Sequence, residues 1–156
     1  EEAQTFYNEY FKNFTTLASY LENVKASAER LGYTETFFGR RRYFEGIKSS
    51  IPFIKASAER MAINAPIQGT SADIIKIAMA RIVDKFKKEG WDKSAFLLLQ
   101  VHDELVCEIK KEMVEEIMPA VDEIMENVLS LAETKGIKLA ANGSVGENWG
   151  EMGSLI

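Results

Sequence analysis

The segment Leu97 to Ile109, LLLQVHDELVCEI, sets one imidazole and two carboxylates, His102, Asp103 and Glu104, between two apolar runs. Ala95 to Val101 and Leu105 to Ile109 are rich in strand-forming residues and too short for separate helices. The spacing therefore predicts an antiparallel hairpin turning at His102-Asp103-Glu104. Alternate residues of a strand point to opposite faces, so three consecutive leucines, Leu97 to Leu99, predict cover on both sides. A central hairpin with helices packed against it is the frame into which the other elements have to fit.

Those elements are mostly helical. Phe6, Tyr10 and Phe14, then Leu17, Leu21, Val24, Ala28 and Leu31, recur at steps of three or four, which predicts two helices. Thr15-Thr16 is the expected N-cap of the second, and Gly32 suits the left-handed position after its last turn. GYTETFFGRRRYF predicts a small hairpin, Tyr33 to Phe37 with Arg41 to Phe44, turning at Gly39. A loop from Gly46 to Pro52 follows, with helix resuming at Ile54. Ile74, Ile75, Ala78, Met79, Ile82, Val83 and Phe86 then form a broad apolar stripe ending at Gly90. Two starts for that helix stand open, a capping box at Thr70 and Asp73 or an N-cap at Asn64 before Pro66. Val114, Ile117, Met118, Val121, Ile124, Met125 and Val128 mark a last helix with Pro119 inside it. GIKLAANGSVGENWG predicts a short strand and a glycine-rich turn.

The chain's 156 residues, 46% of them hydrophobic, suffice for one domain or a compact piece of a larger protein. Its net charge of -5 provides no overall cationic field, so any nucleic-acid contact has to rest on local clusters. Cys107 is the only cysteine, which excludes an internal disulfide. With no apolar run of about 18 residues and no signal-peptide pattern, a soluble, reducing, cytoplasmic setting away from membranes is expected. The opening EEAQTFY reads as the interior of a helical pattern without an initiator methionine, which predicts a piece of a longer protein.

Two readings of the His102-Asp103-Glu104 tip follow from chemistry alone. Turns favour aspartate, and a solvated tip needs no function. Alternatively, carboxylates on a rigid hairpin meet a hard cation such as Mg²⁺, which takes one or two such oxygens and keeps water or phosphate as its other ligands. Phosphohydrolases built on several histidines are excluded, because His102 is the only one. A zinc site and a Cys/His nucleophile fail similarly, and Cys107, inside a strand, reads as packing. A free-standing metal hydrolase needs a further carboxylate, and the nearest by sequence, Asp73 and Glu108, sit at no strand tip.

Four stretches in order, GYTETFFGRRRYF, AERMAINAPIQGTSADIIKIAM, LLLQVHDELVCEI and VGENW, resemble the carboxyl-terminal part of the family A DNA polymerases, the bacterial DNA polymerase I type. The resemblance covers essentially the whole chain. It implies that Asp103 binds the catalytic metals, with Glu104 as a more peripheral helper and His102 near the primer's 3′ end. It further implies that Arg60, Asn64 and Gln68 contact the template-primer duplex; spaced by four, they share a face if their stretch is continuously helical. Minor-groove acceptors are presented by every base pair, so amides and a guanidinium read them without strong sequence preference. Capping or loop roles are their alternative.

Arg40, Arg41 and Arg42 either line the nucleic-acid cleft or solvate the hairpin, with alternation turning Arg41 away from its neighbours. Arg41 stands among the DNA-contact candidates, with a salt-bridged surface role as the alternative. Lys76 and Arg81 read as surface or packing residues.

The implied fold is α+β: an antiparallel palm hairpin backed by long helices over residues 53 to 156, and a helical fingers piece over residues 1 to 50. The implied activity is addition of deoxynucleotides to a primer hydroxyl with Mg²⁺ as cofactor and template-primer DNA and deoxynucleoside triphosphates as partners. Such enzymes hold two cations about 3.5 to 4 Å apart between carboxylates. The family's second aspartate and its nucleotide-binding helix come from earlier motifs, so this chain alone is expected to be inactive and to bind Mg²⁺ weakly. The competing class is a non-catalytic palm-derived module that binds nucleic acid or protein. Phe6, Tyr7, Tyr10 and Phe11 are the expected seat of self-association.

Overall fold

The computed structural model describes residues 2–154. It is helix-rich with small antiparallel sheets, an α+β architecture, and falls into two compact units, Glu1–Ser71 and Ala72–Ile156.

In the first unit, α1 (Glu2–Asn13) and α2 (Thr15–Leu31) are the two expected helices. The Thr15-Thr16 cap is not made: Phe14 occupies the cap position and no side chain bonds there. The cause is backbone continuity. The Phe14 amide donates to the Tyr10 carbonyl and the Ala18 amide to the Phe14 carbonyl, both at 3.0 Å, so few amides at the junction are left for a hydroxyl. Gly32 closes α2 at φ 83°, its amide 2.7 Å from the Ala28 carbonyl.

Strands β1 (Tyr33–Glu35) and β2 (Arg41–Tyr43) pair antiparallel, with Thr34 opposite Arg42 and Glu35 opposite Arg41. They are shorter than expected because Thr36 to Gly39 form the turn, where the Gly39 amide donates to the Thr36 carbonyl at 3.0 Å. Gly39 has φ 79°, the conformation for which glycine was expected.

A 3₁₀ turn at Glu45–Lys48 leads into α3 (Pro52–Lys88). Helix thus resumes two residues before Ile54, with proline in the first turn, where its missing N–H costs nothing. Neither start considered from sequence is used: Asn64 and Thr70 both lie inside α3. Pro66 has no N–H to give the Ala62 carbonyl. The Thr70 hydroxyl, which a capping box would require, instead donates to the Pro66 carbonyl at 2.6 Å and accepts from the Phe37 amide at 2.9 Å. Ala28, Phe44, Ile47, Ala58, Ala62 and Ala65 are the buried core of this unit.

In the second unit, Gly90 follows the end of α3 at φ 72°. Strands β3 (Ala95–Val101) and β4 (Glu104–Ile109) form the central hairpin, with an irregularity of register between Leu97 and Leu99. Helix α4 (Val114–Glu126) contains Pro119, and two-residue strands β5 (Ser144–Val145) and β6 (Gly153–Ser154) pair near the end, leaving residues 137–143 without regular structure. Arg81, read as surface or packing, packs: its guanidinium donates to the carbonyls of Asn127 and Val128 at 2.9 and 3.2 Å, satisfying acceptors at the end of α4.

Ile82, Phe86, Ala95, Ile117 and Val121 make the core, with Leu105, Ile109 and Trp91 packed on it. The expectation that both faces of β3 are covered is not met. Phe96, Leu98 and Leu99 are 46, 52 and 49% exposed, because the sheet has two strands and the cluster backs the face that carries Ala95 and Ile109.

This division predicts a sharp contrast in urea unfolding. Ile117→Ala, at a fully buried site, is expected to cost about 2–5 kcal/mol. Leu98→Ala, on the open face, is expected to stay within about 0.5 kcal/mol of the unmodified chain. Equal losses would show that the open face of β3 is covered.

Candidate active site

The ladder closes with Val101 opposite Glu104, which leaves His102 and Asp103 as the two turn residues. Glu104, expected within the turn, is the first residue of β4. His102 adopts φ 53°, a left-handed conformation that costs a side chain of this kind about 1–3 kcal/mol unless its surroundings enforce it. Gln100 braces it, its side-chain amide donating to the His102 carbonyl at 2.5 Å. Sequence reasoning passed over Gln100, and its position two residues before the turn was the available signal. His102, Asp103 and Glu104 are all exposed.

Asp103 and Glu104 also border a cavity of about 560 Å³ that takes in Cys107 of β4, Met118 and Asp122 of α4, Asn142 and Trp149. Burial pushes the Cys107 thiol up from its ordinary value. It therefore stays protonated at neutral pH, consistent with a packing role rather than nucleophilic chemistry. Burial, with the Glu126 charge adding to it, raises the Asp122 carboxyl above the usual aspartate range. Asp122 was also missed from sequence. It follows Met118 by four and precedes Met125 by three, so helical spacing already set it beside the apolar stripe.

Among the described residues no group of three or more His, Cys, Asp or Glu side chains could hold a metal ion. The tip therefore does not fit a closed protein cage. Its exposed carboxylates, Asp103 and Glu104, are of the kind and number that would hold a cation taking one or two protein oxygens and completing its shell with water and phosphate.

In the first unit, the continuity of α3 brings Arg60, Asn64 and Gln68 onto one helical stripe, and all three are exposed. Asn64 therefore caps nothing. Alternation sorts the three arginines as expected. Arg41 lies over the Tyr33 ring at 4.6 Å and donates from Nε to Glu35 at 2.7 Å. The Glu35 hydrogen bond raises its already high pKa further, so it stays charged. Arg40 and Arg42 turn to α3: Arg40 Nη2 donates to the Gly69 carbonyl at 3.0 Å, and Arg42 approaches the Met61 sulfur at 3.9 Å and lies over the Phe44 ring at 5.6 Å.

Comparison with known proteins gives the family of the chain. The family model described as DNA polymerase family A matches residues 1–151. The chain is 40% identical over 149 residues to the thermostable DNA polymerase I of Thermus aquaticus, covering 96% of this chain and 17% of that protein. It is 41% identical over 150 residues to DNA polymerase I of Rhizobium leguminosarum, covering 96% and 15%. The chain thus spans about a sixth of the length of these curated relatives. Among solved structures it resembles the POL domain of Pol1 from M. smegmatis in complex with DNA primer-template and dNTP. The TM-score is 0.79 and the identity 42%, over 83% of this chain and 23% of that one.

Asp122 yields a prediction whose sign can be worked out. Its folded pKa is raised, so the folded state holds the proton more tightly than the unfolded chain, whose aspartate titrates near about 3.9. The contribution is favourable below that value and is lost as pH rises through the folded pKa. Asp122→Asn is expected to raise the thermal midpoint at neutral pH, the gain shrinking as the pH is taken down through the carboxylate range. A gain independent of pH, or a loss at neutral pH, would contradict this environment for Asp122.

Proposed function

Because the chain belongs to DNA polymerase family A, we propose that it carries part of the active site and DNA-contact surface of a DNA-dependent DNA polymerase working in the cytoplasm in replication and repair. The supporting observation is that Asp103 lies exposed at the turn of a hairpin whose backbone is fixed by its own ladder and by Gln100. In this reading Asp103 is the Mg²⁺ ligand, Glu104 tunes the charge beside it, and His102 lies near the primer's 3′ end. Bound Mg²⁺ would supply activation of the primer hydroxyl and charge neutralisation at the departing phosphate. The chain's part is to hold a carboxylate on a rigid element, so that no side-chain ordering is required when metal and nucleotide arrive.

Arg60, Asn64 and Gln68 form the surface for the template-primer duplex. Their common stripe on α3 supports this, as does their chemistry, which suits acceptors common to all base pairs. Arg41 joins them at the cost of sharing its guanidinium with Glu35. Residues 1–50 are then the returning part of the fingers and residues 53–156 a palm fragment. The exposed aromatics Phe6, Tyr7 and Tyr10 on α1 favour self-association of the isolated chain, whereas Phe11 is partly covered.

With one carboxylate-bearing tip and no three-group cluster among the described residues, the isolated chain binds Mg²⁺ weakly and does not polymerise. A primer-extension assay tests both halves of the proposal. The 156-residue chain with Mg²⁺, primer-template and deoxynucleoside triphosphates is expected to give no template-dependent incorporation. In a longer polymerase containing this chain, Asp103→Ala is expected to abolish extension while leaving duplex affinity nearly unchanged. Incorporation by the isolated chain would refute the first expectation, and extension surviving Asp103→Ala would refute the metal role.

A further inference from the structure

His102 and Asp103 close the turn between Val101 and Glu104. Of the two, only His102 has a positive φ, 53°. Hairpin turns of two residues with a positive φ at the first place draw mostly on glycine, because a Cβ there crowds the following carbonyl. This chain keeps a histidine where glycine would sit without strain, so something outside the residue has to hold it.

The imidazole does not. Among the described residues it enters no hydrogen bond or ion pair, and neither does the Asp103 carboxylate. The side-chain hydrogen bond that reaches the turn comes from Gln100, whose Nε2 donates to the His102 carbonyl at 2.5 Å. That carbonyl belongs to the planar peptide joining His102 to Asp103, so fixing it fixes the plane from which Asp103 projects its side chain. The base of the brace is firm. Gln100 lies on β3, whose first residue, Ala95, is in the buried core, and it stands opposite Leu105, which packs on the same core.

We propose that Gln100 is a positioning residue for the Asp103 carboxylate: by holding the peptide between His102 and Asp103 it keeps a histidine in a glycine-type turn and aims Asp103 at the cation. The proposal rests on the polymerase reading given above, in which His102 and Asp103 both act at the primer end. It accounts for the histidine. Glycine would relieve the backbone but remove the imidazole, whereas an amide two residues earlier lets the turn keep both its side chain and its shape. Without that amide the peptide plane is free to rotate, and a carboxylate that has to be reoriented holds a cation less tightly.

The test pairs a conformational readout on the 156-residue chain with a kinetic one on a longer polymerase that contains it. Gln100→Met keeps the length of the side chain and removes its N–H donor. In the isotope-labelled chain, the strong amide-to-Hα NOE within residue 102 that marks a positive φ is expected to weaken in Gln100→Met, with the core resonances of Ile117 and Val121 unchanged. In the polymerase, Gln100→Met is expected to raise the Mg²⁺ concentration for half-maximal extension about three- to tenfold, the range of one neutral hydrogen bond, without changing duplex affinity. A merely structural loss would lower the amount of active enzyme and leave its Mg²⁺ dependence in place. His102→Gly supplies the control background: glycine takes a positive φ without a brace, so adding Gln100→Met to it is expected to change the Mg²⁺ dependence no further. Loss of the NOE together with a Mg²⁺ shift confined to the His102 background supports the proposal. A positive φ that survives Gln100→Met overturns it. So does a Mg²⁺ dependence that stays unchanged, or shifts equally in the His102→Gly background, in a polymerase that Asp103→Ala inactivates. Extension that survives Asp103→Ala refutes the metal role itself, a failure told apart from the others by that variant alone, and the positioning role falls with it.

Discussion

The β3–β4 hairpin stands on five buried apolar side chains, Ile82 and Phe86 from α3, Ala95 from β3, and Ile117 and Val121 from α4. A two-stranded ribbon is marginal in water by itself, and burial of each large side chain contributes about 1.5–3 kcal/mol. That cluster supports the ladder that keeps the hairpin in register with Asp103 at its turn. Arg81 adds a polar tie from α3 to the carbonyls that end α4. The left-handed His102 is tolerated because both flanking strands are already committed, and Gln100 holds its carbonyl from behind.

A second constraint acts in the first unit, where the three consecutive arginines of the hairpin segment are divided between two faces. The period of two along a strand does this without any special residue type. Arg41 goes outward to Glu35 and Tyr33, while Arg40 and Arg42 go inward to α3. Close approach of the hairpin to α3 depends on Gly69 and on Thr70, whose hydroxyl links the Pro66 carbonyl to the Phe37 amide. One hydroxyl thus serves a helix interrupted by proline and also anchors the turn of the hairpin.

The periodic features were legible in the sequence: both N-terminal helices, the β1–β2 hairpin with Gly39 at positive φ, the stripe of α3 and the β3–β4 hairpin. What resisted was decided by competition among local signals. Thr15-Thr16 looks like a cap, but the backbone bonds around Phe14 run on from α1. Asn64 before Pro66 looks like a helix start, but tertiary packing of Ala58, Ala62 and Ala65 carries α3 straight through. Three leucines in a row look like a strand buried on both faces, yet only one face of the hairpin meets a core within this chain. At the tip, the His-Asp-Glu triplet was visible and the residues supporting it were not. Gln100 acts through a backbone carbonyl, and Asp122 through a cavity that exists only once α4 has packed.

The central claim is that the hairpin turn, and not the deeper cavity beneath it, offers the metal its carboxylate. Mn²⁺ substitutes for Mg²⁺ on oxygen ligands and broadens the resonances of nearby nuclei, so a titration of the isotope-labelled chain followed by NMR tests the claim directly. The account predicts broadening that starts at the amides of Asp103 and Glu104 and disappears in Asp103→Ala. Broadening that starts at Asp122, or that persists unchanged in Asp103→Ala, would contradict it.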